Sequence, residues 1–419
     1  MGAGTAWNPG TRTADVVILT AIRLELDAVL MVDDGAVPGT TWDLATGPSG
    51  LPVAFRPFVG QGGRPLRVAV AVAPAMGATA AVNTLLPLVE ALRPRCIAMC
   101  GVCAGRRGKT RLGDVVAADR LYYHDTGKQL PDEIQQDLTT YNLRDDWKAA
   151  LEGLDVVAHF RNTKWFQSRP LTTEWREHRA LLALRDRVPE PWNAVDPALQ
   201  EHEWAPIVTA LRERKLLADT GREPTDEGRR LVDDLLFRHR DKLPDLSAAG
   251  TVEPFRLHVA PMGTGARVVE DEKIWSFITQ AMRKTLGLEM ESAALGEVAH
   301  RQRQYKLDAV VMKGVMDHAD HGRDDHFKEF AARASAECLL WFLREHVPTE
   351  VAAGFDDLLT PGTLPVPNRV AAPSILLNAR YALVPWYEAG RSELLAELDA
   401  WADDPQRGER QLDLPSDDN

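Results

Sequence analysis

The residues best suited to chemistry in this sequence are three carboxyl side chains that follow short apolar stretches. Glu25 comes about one helical turn after the β-branched run at 15–20, Glu291 ends a Glu-Met-Glu sequence, and Asp317 ends an apolar run. Carboxyl groups can act as general acids or bases when their surroundings adjust their pKa. Plainer interpretations exist: an exposed glutamate is favoured in the first turn of a helix, and an aspartate at a strand end can cap the following loop.

A second feature is the sequence Cys-Gly-Val-Cys-Ala-Gly at 100–105. A glycine loop after a buried strand lets the backbone approach a ligand closely and point N–H groups at it. The spacing of Cys96, Cys100 and Cys103 is also that of an iron–sulfur loop. The apolar setting instead favours cysteines that pack as small hydrophobes. We therefore predict a ligand-facing loop, without a cofactor or a metal.

The elements that position these residues alternate between strand and helix. Alternating apolar patterns predict strands, and apolar residues at helical spacing predict helices. Strands are predicted at 15–20, 66–73, 96–100, 115–118, 255–259 and 309–313, and helices at 22–29, 77–92, 273–285, 292–303 and 326–346. This rhythm predicts an α/β domain with a mainly parallel sheet.

The rhythm breaks in the middle of the chain and again near its end. The middle segment is rich in Trp, Arg, Glu and Leu and predicts helices; a winged-helix-like unit and plain amphipathic helices are equal alternatives. Its acidity favours a lid or an oligomer contact over DNA binding. The predicted organisation is a disordered N-terminus at 1–14, an α/β domain at 15–130 and 248–348, a helical insertion at 131–247, a Pro-rich linker at 349–373, a helical connector at 374–405 and a disordered tail at 406–419.

The composition narrows the class of protein. Of the 419 residues 45% are hydrophobic and 26% are charged, which suits a sizeable core, and the net charge of -12 argues against a broad nucleic-acid footprint. The longest apolar stretch, at 68–82, contains Pro74 and Gly77 and is too short to span a bilayer. The first 14 residues lack the apolar core of a secretory signal, and four cysteines make no disulfide framework. We predict a cytoplasmic protein.

In chain order, four segments resemble the purine nucleoside phosphorylase and methylthioadenosine/adenosylhomocysteine nucleosidase superfamily. They are Thr-Ala-Ile-Arg-Leu-Glu at 20–25, the glycine loop at 100–105, Glu-Met-Glu at 289–291 and Met-Asp-His-Ala-Asp at 316–320. The resemblance covers roughly 14–130 and 250–347. It implies a nucleoside phosphorylase-like three-layer fold, in which helices flank a mixed, mainly parallel twisted sheet.

The resemblance also implies roles for the carboxylates. Asp317 is then the general acid that protonates N7 of the leaving purine, Glu25 activates the attacking water, and Glu291 binds the ribose hydroxyls. Met316 departs from the pattern, because nucleosidases often have there a serine that orients the aspartate. Further substrate contacts are implied for Met290 beneath the sugar, for Gly101, Val102, Cys103, Ala104 and Gly105, for Tyr123 and His124, and for Val268 and Val269 on the purine faces, where an ordinary turn and strand is an equal alternative.

Hydrolysis is predicted over phosphorolysis. Phosphorylases surround the attacking phosphate with arginines, whereas this chain has Cys100 before the central glycine and Glu25 on the first loop. A glutamate repels phosphate and suits water. A phosphate-dependent phosphorylase and a catalytically silent nucleotide-sensing module are the alternatives.

The finer resemblance is to nucleosidase effector domains of bacterial antiphage proteins of the STAND type. It is carried by Cys-Ala-Gly-Arg-Arg at 103–107, Tyr-His-Asp-Thr-Gly-Lys at 123–128, the insertion, and the connector, which is similar to one that precedes a STAND ATPase. It implies cleavage of an adenine nucleotide such as ATP or AMP, a homo-oligomer of at least two chains, an ATPase module in cis or in trans, and neither membrane nor nucleic acid as a partner. Four cations are then candidates to receive phosphates, or else ordinary surface charges: Arg106, Arg107, Lys109 and Lys128.

Overall fold

The computed structural model describes residues 13–129, 134–171, 173–195, 201–239, 254–320 and 325–349. The predicted connector and tail, nearly all of the Pro-rich linker and most of the N-terminus lie outside this part of the chain. Its strands are β1 Val16–Thr20, β2 Asp43–Thr46, β3 Pro52–Val59, β4 Pro65–Val72, β5 Cys96–Gly105, β6 Val115–Tyr123, β7 Gly127–Gln129, β8 Ile134–Gln136, β9 Thr140–Asn142, β10 Leu257–Thr264, β11 Gly287–Glu289 and β12 Asp308–Asp317.

The helices follow the predicted alternation outside the middle segment. They are α1 Arg23–Leu30, α2 Ala78–Leu92, α3 Asp145–Glu152, α4 Val156–Phe160, α5 Lys164–Gln167, α6 Thr173–Arg185, α7 Pro191–Val195, α8 Glu201–Glu213, α9 Asp226–His239, α10 Ile274–Ala281, α11 Ser292–Arg301 and α12 Lys328–His346, with short 3-10 turns at Gln61–Gly63 and Asp325–Phe327. Among these helices, none is long and apolar enough to cross a membrane.

One mixed sheet organises the domain, in the order β11-β10-β6-β12-β5-β1-β4-β3-β2. Strands β4, β1, β5 and β12 are mutually parallel, and β3 and β2 extend the sheet as an antiparallel edge. Strand β11 also pairs antiparallel with β5, so that β11, β10, β6, β12 and β5 close into a ring. The prediction of an α/β fold with a mixed sheet flanked by helices is confirmed.

Helices cover both faces of the sheet because the central strands are apolar on both faces. On one face, Ala28 and Val29 of α1 and Phe342 of α12 pack into one buried cluster. On the other, Leu85 of α2 and Leu295 of α11 belong to a second cluster. Each fully buried Val, Leu or Phe side chain among them contributes about 1.5–3 kcal/mol of burial free energy. The sheet is therefore a rigid frame between two cores.

Strand β5 differs from the prediction, because it continues through the glycine segment to Gly105 instead of ending at Cys100. Strand β12 pairs with it through that whole segment, from Gly101 opposite Lys313 onwards. The pairing also separates the cysteines: Cys96 and Cys100 belong to the core on one face and Cys103 to the core on the other. All three are buried in the strand, so they do not converge on one iron–sulfur cluster.

The middle segment divides into two parts in the structure. Its first part belongs to the main core, since β9 pairs with β6 and Trp147 and Phe160 pack into the core cluster. The part from α6 to α9 builds a cluster of its own, which includes Leu181, Trp204 and Leu211. Between α8 and α9, Leu217 and Pro224 form an isolated antiparallel β-bridge. A winged-helix-like unit at this place stays a prediction.

Candidate active site

The three predicted carboxylates converge at the carboxyl end of β5. Strands β1, β5 and β12 run parallel as neighbours, and the carboxyl ends of parallel strands are where α/β sheets bind ligands. Glu25 lies on the helix after β1, and Asp317 is the last residue of β12, opposite Ala104. Glu291 follows β11, which pairs with β5 at residues 104 and 105.

Three backbone N–H groups hold the carboxylate of Glu25 at the carboxyl edge of the sheet. Its Oε2 accepts hydrogen bonds from the N–H of Ala21 at 2.7 Å and of Ile22 at 3.3 Å, and its Oε1 accepts one from Val102 at 2.8 Å. The residue is only 2% exposed, which excludes the alternative of a solvated first-turn glutamate. Glu25 therefore joins the start of α1 to the glycine segment of β5.

Gly101 makes this approach feasible. Its φ of 145° lies in the region that side chains rarely adopt, and a Cβ at this position would lie 1.9 Å from Glu25 Oε1. No side chain fits between the strand and the carboxylate. Gly101 therefore allows the placement of Glu25, and a contact of this glycine with a ligand stays a prediction.

Lys313 is a buried charge of the candidate site that the sequence analysis does not identify. It lies opposite Gly101 on β12 and is fully buried, with its Nζ 3.6 Å from Glu25 Oε1 and 4.0 Å from Glu289 Oε2. Within the described part of the chain, its Nζ has no hydrogen-bond partner. Burial alone would lower the pKa of Lys313, but the charges of Glu25, Glu289 and Glu291 outweigh burial and raise it. Lys313 is therefore an ammonium ion among carboxylates.

Glu289 is occupied with holding the start of α11. Its carboxylate accepts hydrogen bonds from the hydroxyls of Thr264 and Ser292, both at 2.6 Å, and from the N–H groups of Glu291 at 2.9 Å and Ser292 at 2.8 Å. These bonds satisfy N–H groups that a helix start leaves without an intrahelical partner. Glu289 therefore supports the start of α11.

Glu291 is buried in a less satisfied environment. Its Oε1 accepts one hydrogen bond, from the N–H of Gly77 at 2.7 Å, and the residue is 4% exposed. Burial, with the charge of Glu289 as the next cause, raises the pKa of Glu291 to about 7, against the opposing effect of Lys313. The carboxyl group can thus gain or lose its proton near neutral pH.

Asp317 is held by the loop that follows it. A register shift between Val315 and Asp317 sets the residue opposite Ala104, and its Oδ1 accepts the N–H of Ala319 at 3.0 Å. Ala319 has a left-handed backbone, with φ of 57°. This chain has Met316 where nucleosidases often have a serine that orients the aspartate. Here the backbone N–H of Ala319 contacts Asp317.

The side chain of Cys103 lies among several of these charged groups, which affect its pKa. Burial raises the pKa of Cys103; Lys313 lowers it, and Glu289, Asp317 and Glu25 raise it further. All four charges therefore lie within range of the Cys103 thiol.

The other predicted substrate contacts fall into two groups. Val102, Ala104 and Met290 are half-buried and Gly105 is buried, close in sequence and pairing to the carboxylates. His124 is buried against Gly265, and burial lowers its pKa. By contrast, the hydroxyl of Tyr123 donates to Glu297 on α11 at 3.3 Å, Val269 is half-buried, and Val268 is 61% exposed. A contact of Tyr123 with the substrate, and of Val268 and Val269 with the purine, stays a prediction.

The four predicted phosphate contacts differ in their surroundings. Arg107 pairs with Asp320, with a Nε to Oδ2 distance of 2.9 Å. Arg106 donates to the backbone carbonyl of Arg283 at 3.2 Å. Lys109 and Lys128 are exposed. Among the described residues, Arg107 is the one of these four cations that a carboxylate neutralises, and that carboxylate, Asp320, lies three residues after Asp317.

Solved structures with a similar chain trace include two nucleosidases and a hydrolase. The 5'-methylthioadenosine/S-adenosylhomocysteine nucleosidase of Neisseria meningitidis is 14% identical with a TM-score of 0.43 over 78% of this chain and 98% of that chain. The nucleosidase of S. pneumoniae is 16% identical with a TM-score of 0.44 over 78% and 98%. Futalosine hydrolase of Helicobacter pylori is 14% identical with a TM-score of 0.41 over 79% and 97%.

One curated protein resembles the sequence, and no protein-family model matches it. It is the uncharacterized protein y4jS of Sinorhizobium fredii (strain NBRC 101917 / NGR234), which is 22% identical over 306 residues. The match covers 73% of this chain and 56% of that protein, so the chain spans about half the length of its relative.

Proposed function

We propose that this protein hydrolyses the N-glycosidic bond of a purine nucleoside or nucleotide. The observation that carries the proposal is the convergence of three carboxyl groups with different surroundings. Glu25 is fixed by three N–H donors, Glu291 has a pKa of about 7, and Asp317 stands at a strand end. Cleavage of a glycosidic bond needs such a division between acid and base.

The reaction assigns one task to each group. Asp317 gives its proton to N7 of the purine while the bond from N9 to C1' breaks and its electrons leave with the base. A water oxygen forms the new bond to C1', and its proton passes to Glu25. Glu291 accepts hydrogen bonds from the ribose hydroxyls, which holds C1' between acid and base.

The charges of the site favour water over phosphate as the nucleophile. A phosphate dianion beside Glu25 and Glu291 would meet two carboxylates, and the one buried cation, Lys313, among the described residues near them is already surrounded by acids. Like charges about 4 Å apart repel by roughly 4 kcal/mol at an effective dielectric of about 20. Hydrolysis is therefore the proposed reaction, and phosphorolysis is the alternative that experiment must separate from it.

For the substrate we propose an adenine nucleotide such as ATP or AMP, and for the biological role a nucleotide-depleting effector of antiphage defence that acts as a homo-oligomer with a STAND ATPase. The support is the sequence resemblance together with cations near the end of β5. Arg106 directly follows Gly105 and Lys109 lies four residues after it, and neither has a carboxylate partner among the described residues. Lysine and arginine at such a position can bind phosphate groups.

The test is chromatographic detection of free base from adenosine, AMP and ATP, with and without phosphate. We expect adenine in phosphate-free buffer from the wild-type chain. Asp317→Asn and Glu25→Gln should lose at least a hundredfold in kcat, since general acid–base catalysis contributes about 10²–10⁴-fold. Matched controls are Asp308→Asn at the other end of β12 and Glu337→Gln, a buried glutamate on α12.

Other outcomes point to the other functions. A strict requirement for phosphate, with ribose 1-phosphate as the product, would show a phosphorylase. Tight nucleotide binding without product over long incubation would show a sensing module. Full activity of Asp317→Asn or Glu25→Gln would remove the roles assigned to these residues.

A further inference from the structure

We infer that Trp275 is a positioning residue for the general acid, because its indole holds the peptide that follows Asp317. The inference rests on the proposed hydrolysis. Trp275 Nε1 donates a hydrogen bond to the carbonyl oxygen of His318 at 3.0 Å. Nothing in the local sequence around Trp275 indicates this contact, since 42 residues separate it from Asp317.

The indole is itself fixed. Trp275 is 7% exposed and lies on α10 in a buried cluster with Tyr122, Ile278 and Leu288. The hydroxyl of Tyr122 is in turn 2.6 Å from that of Thr285. A ring packed in this way loses little entropy when it makes a directed hydrogen bond, so its N–H defines a position for the partner carbonyl.

A second hydrogen bond holds His318 through its side chain. The Nδ1 of His318 lies 2.8 Å from the carbonyl oxygen of Gly105. Because a carbonyl only accepts, Nδ1 must carry the proton. Burial lowers the pKa of His318, which keeps the ring neutral at neutral pH and leaves the bond unchanged there. His318 is therefore held at both its ring and its carbonyl.

The two hydrogen bonds of His318 lie next to a strained backbone conformation at Ala319. Ala319, whose N–H is donated to Asp317 Oδ1, has φ of 57°, a conformation that costs a residue with a Cβ free energy relative to the right-handed region. Such a conformation persists when the surroundings over-determine it. The bonds to His318 fix the residue between Asp317 and Ala319, and so they fix the N–H that contacts the acid.

The contacts also tie the acid to the sugar-binding side of the site. Gly105, which accepts from His318, pairs with Gly287 on β11, and Leu288 packs in the cluster of Trp275. Glu289 and Glu291 follow on the same segment. Trp275 thus links the acid to the segment that would anchor the ribose.

The experiment compares Trp275→Phe with Trp42→Phe on whichever of adenosine, AMP and ATP the wild type cleaves best. Trp42 is the matched control, because its indole also donates to a backbone carbonyl, that of Leu30 at 2.9 Å, on the β2–β3 side of the domain. Both variants keep an aromatic ring and lose one indole hydrogen bond, so a similar decrease in Tm is expected. Trp275→Phe should lower kcat about tenfold with KM within twofold, and Trp42→Phe should change neither.

A second substrate separates positioning of the acid from general damage. The nitrophenolate of 4-nitrophenyl β-D-ribofuranoside leaves without protonation, so the loss in Trp275→Phe should largely disappear with it. Equal loss on both substrates, or kinetics like those of Trp42→Phe, would overturn the inference and leave the hydrolase intact. If the riboside is not cleaved, the kcat values of Trp275→Phe and Trp42→Phe on the substrate that the wild type cleaves best decide whether the inference holds. A wild-type chain that releases no base would overturn the proposed function and the inference with it.

Discussion

Replacing Lys313 by methionine tests whether the carboxylates of the site are held together by one buried cation. Methionine keeps much of the length and apolar character of the side chain and removes the charge. At an effective dielectric of about 20, a charge pair at 3.6 Å is worth roughly 5 kcal/mol and one at 4.0 Å roughly 4 kcal/mol before desolvation is subtracted. Removing one partner of a buried pair typically costs about 3–5 kcal/mol. We expect that loss in the free energy of unfolding at pH 8.

The loss should depend on pH in a defined direction. Lys313 lowers the pKa of Glu291, which is about 7, so the pKa rises further when the lysine is absent. A carboxyl group whose folded pKa exceeds its unfolded value loses folding stability as the pH rises between those two values. The unfavourable range therefore extends beyond pH 7 in Lys313→Met, so the difference from wild type should grow as the pH rises above about 7, by up to about 1.4 kcal/mol per pH unit per proton bound, and should be smallest below pH 7.

Urea denaturation followed by circular dichroism from pH 5 to 9 measures this difference. Lys148→Met is the control, because Lys148 is more exposed and pairs with Asp119 at 2.7 Å near the surface. Such a pair contributes about 0–1 kcal/mol. A loss below 1 kcal/mol at pH 8 in Lys313→Met, or a loss that does not change with pH, would refute the account of Lys313 as the counter-charge of the site.

Three further predictions concern individual contacts. Gly101→Ala should lower kcat at least a hundredfold, because the added Cβ would lie 1.9 Å from Glu25 Oε1; steady-state kinetics with normal values would contradict this. The profile of kcat/KM should rise through pH 7 as Glu291 ionises and becomes an acceptor for ribose hydroxyls, and this limb should vanish in Glu291→Gln; a profile that is flat from pH 6 to 8 in the wild type speaks against it. Thr264→Val should cost about 1–3 kcal/mol in the free energy of unfolding, because Glu289 loses a donor and the N–H of Ala293 loses its acceptor; an unchanged urea midpoint would show that these bonds do not stabilise the start of α11.

The elements with a clear apolar period could be predicted from the sequence. The strand predicted at 66–73 is β4 Pro65–Val72, and the helix predicted at 77–92 is α2 Ala78–Leu92, because both bury a regular set of apolar side chains. The edge strand β2 was missed, since three of its four residues are exposed and its pattern is weak. Strand β5 extends beyond the predicted end because β12 pairs with it from Cys96 to Ala104, whereas glycines usually weaken a strand.

The candidate site was predictable only in part, for a physical reason. Glu25, Glu291 and Asp317 are predicted from the motifs that carry the family resemblance, because the strand and helix ends alone also allow a solvated first-turn glutamate and a loop-capping aspartate. Lys313 was not, because a lysine in an apolar strand gives no sign of which side chains surround it until the register of β12 against β5 is known. Trp275 depends in the same way on a contact between distant segments.

The proposed hydrolysis is tested most sharply by adenine release from adenosine, AMP and ATP in phosphate-free buffer, with wild type, Asp317→Asn and Asp308→Asn side by side. We expect free adenine from the wild type and from Asp308→Asn at similar rates, and a loss of at least a hundredfold in Asp317→Asn. Release that requires phosphate, or equal rates from all three proteins, would contradict it.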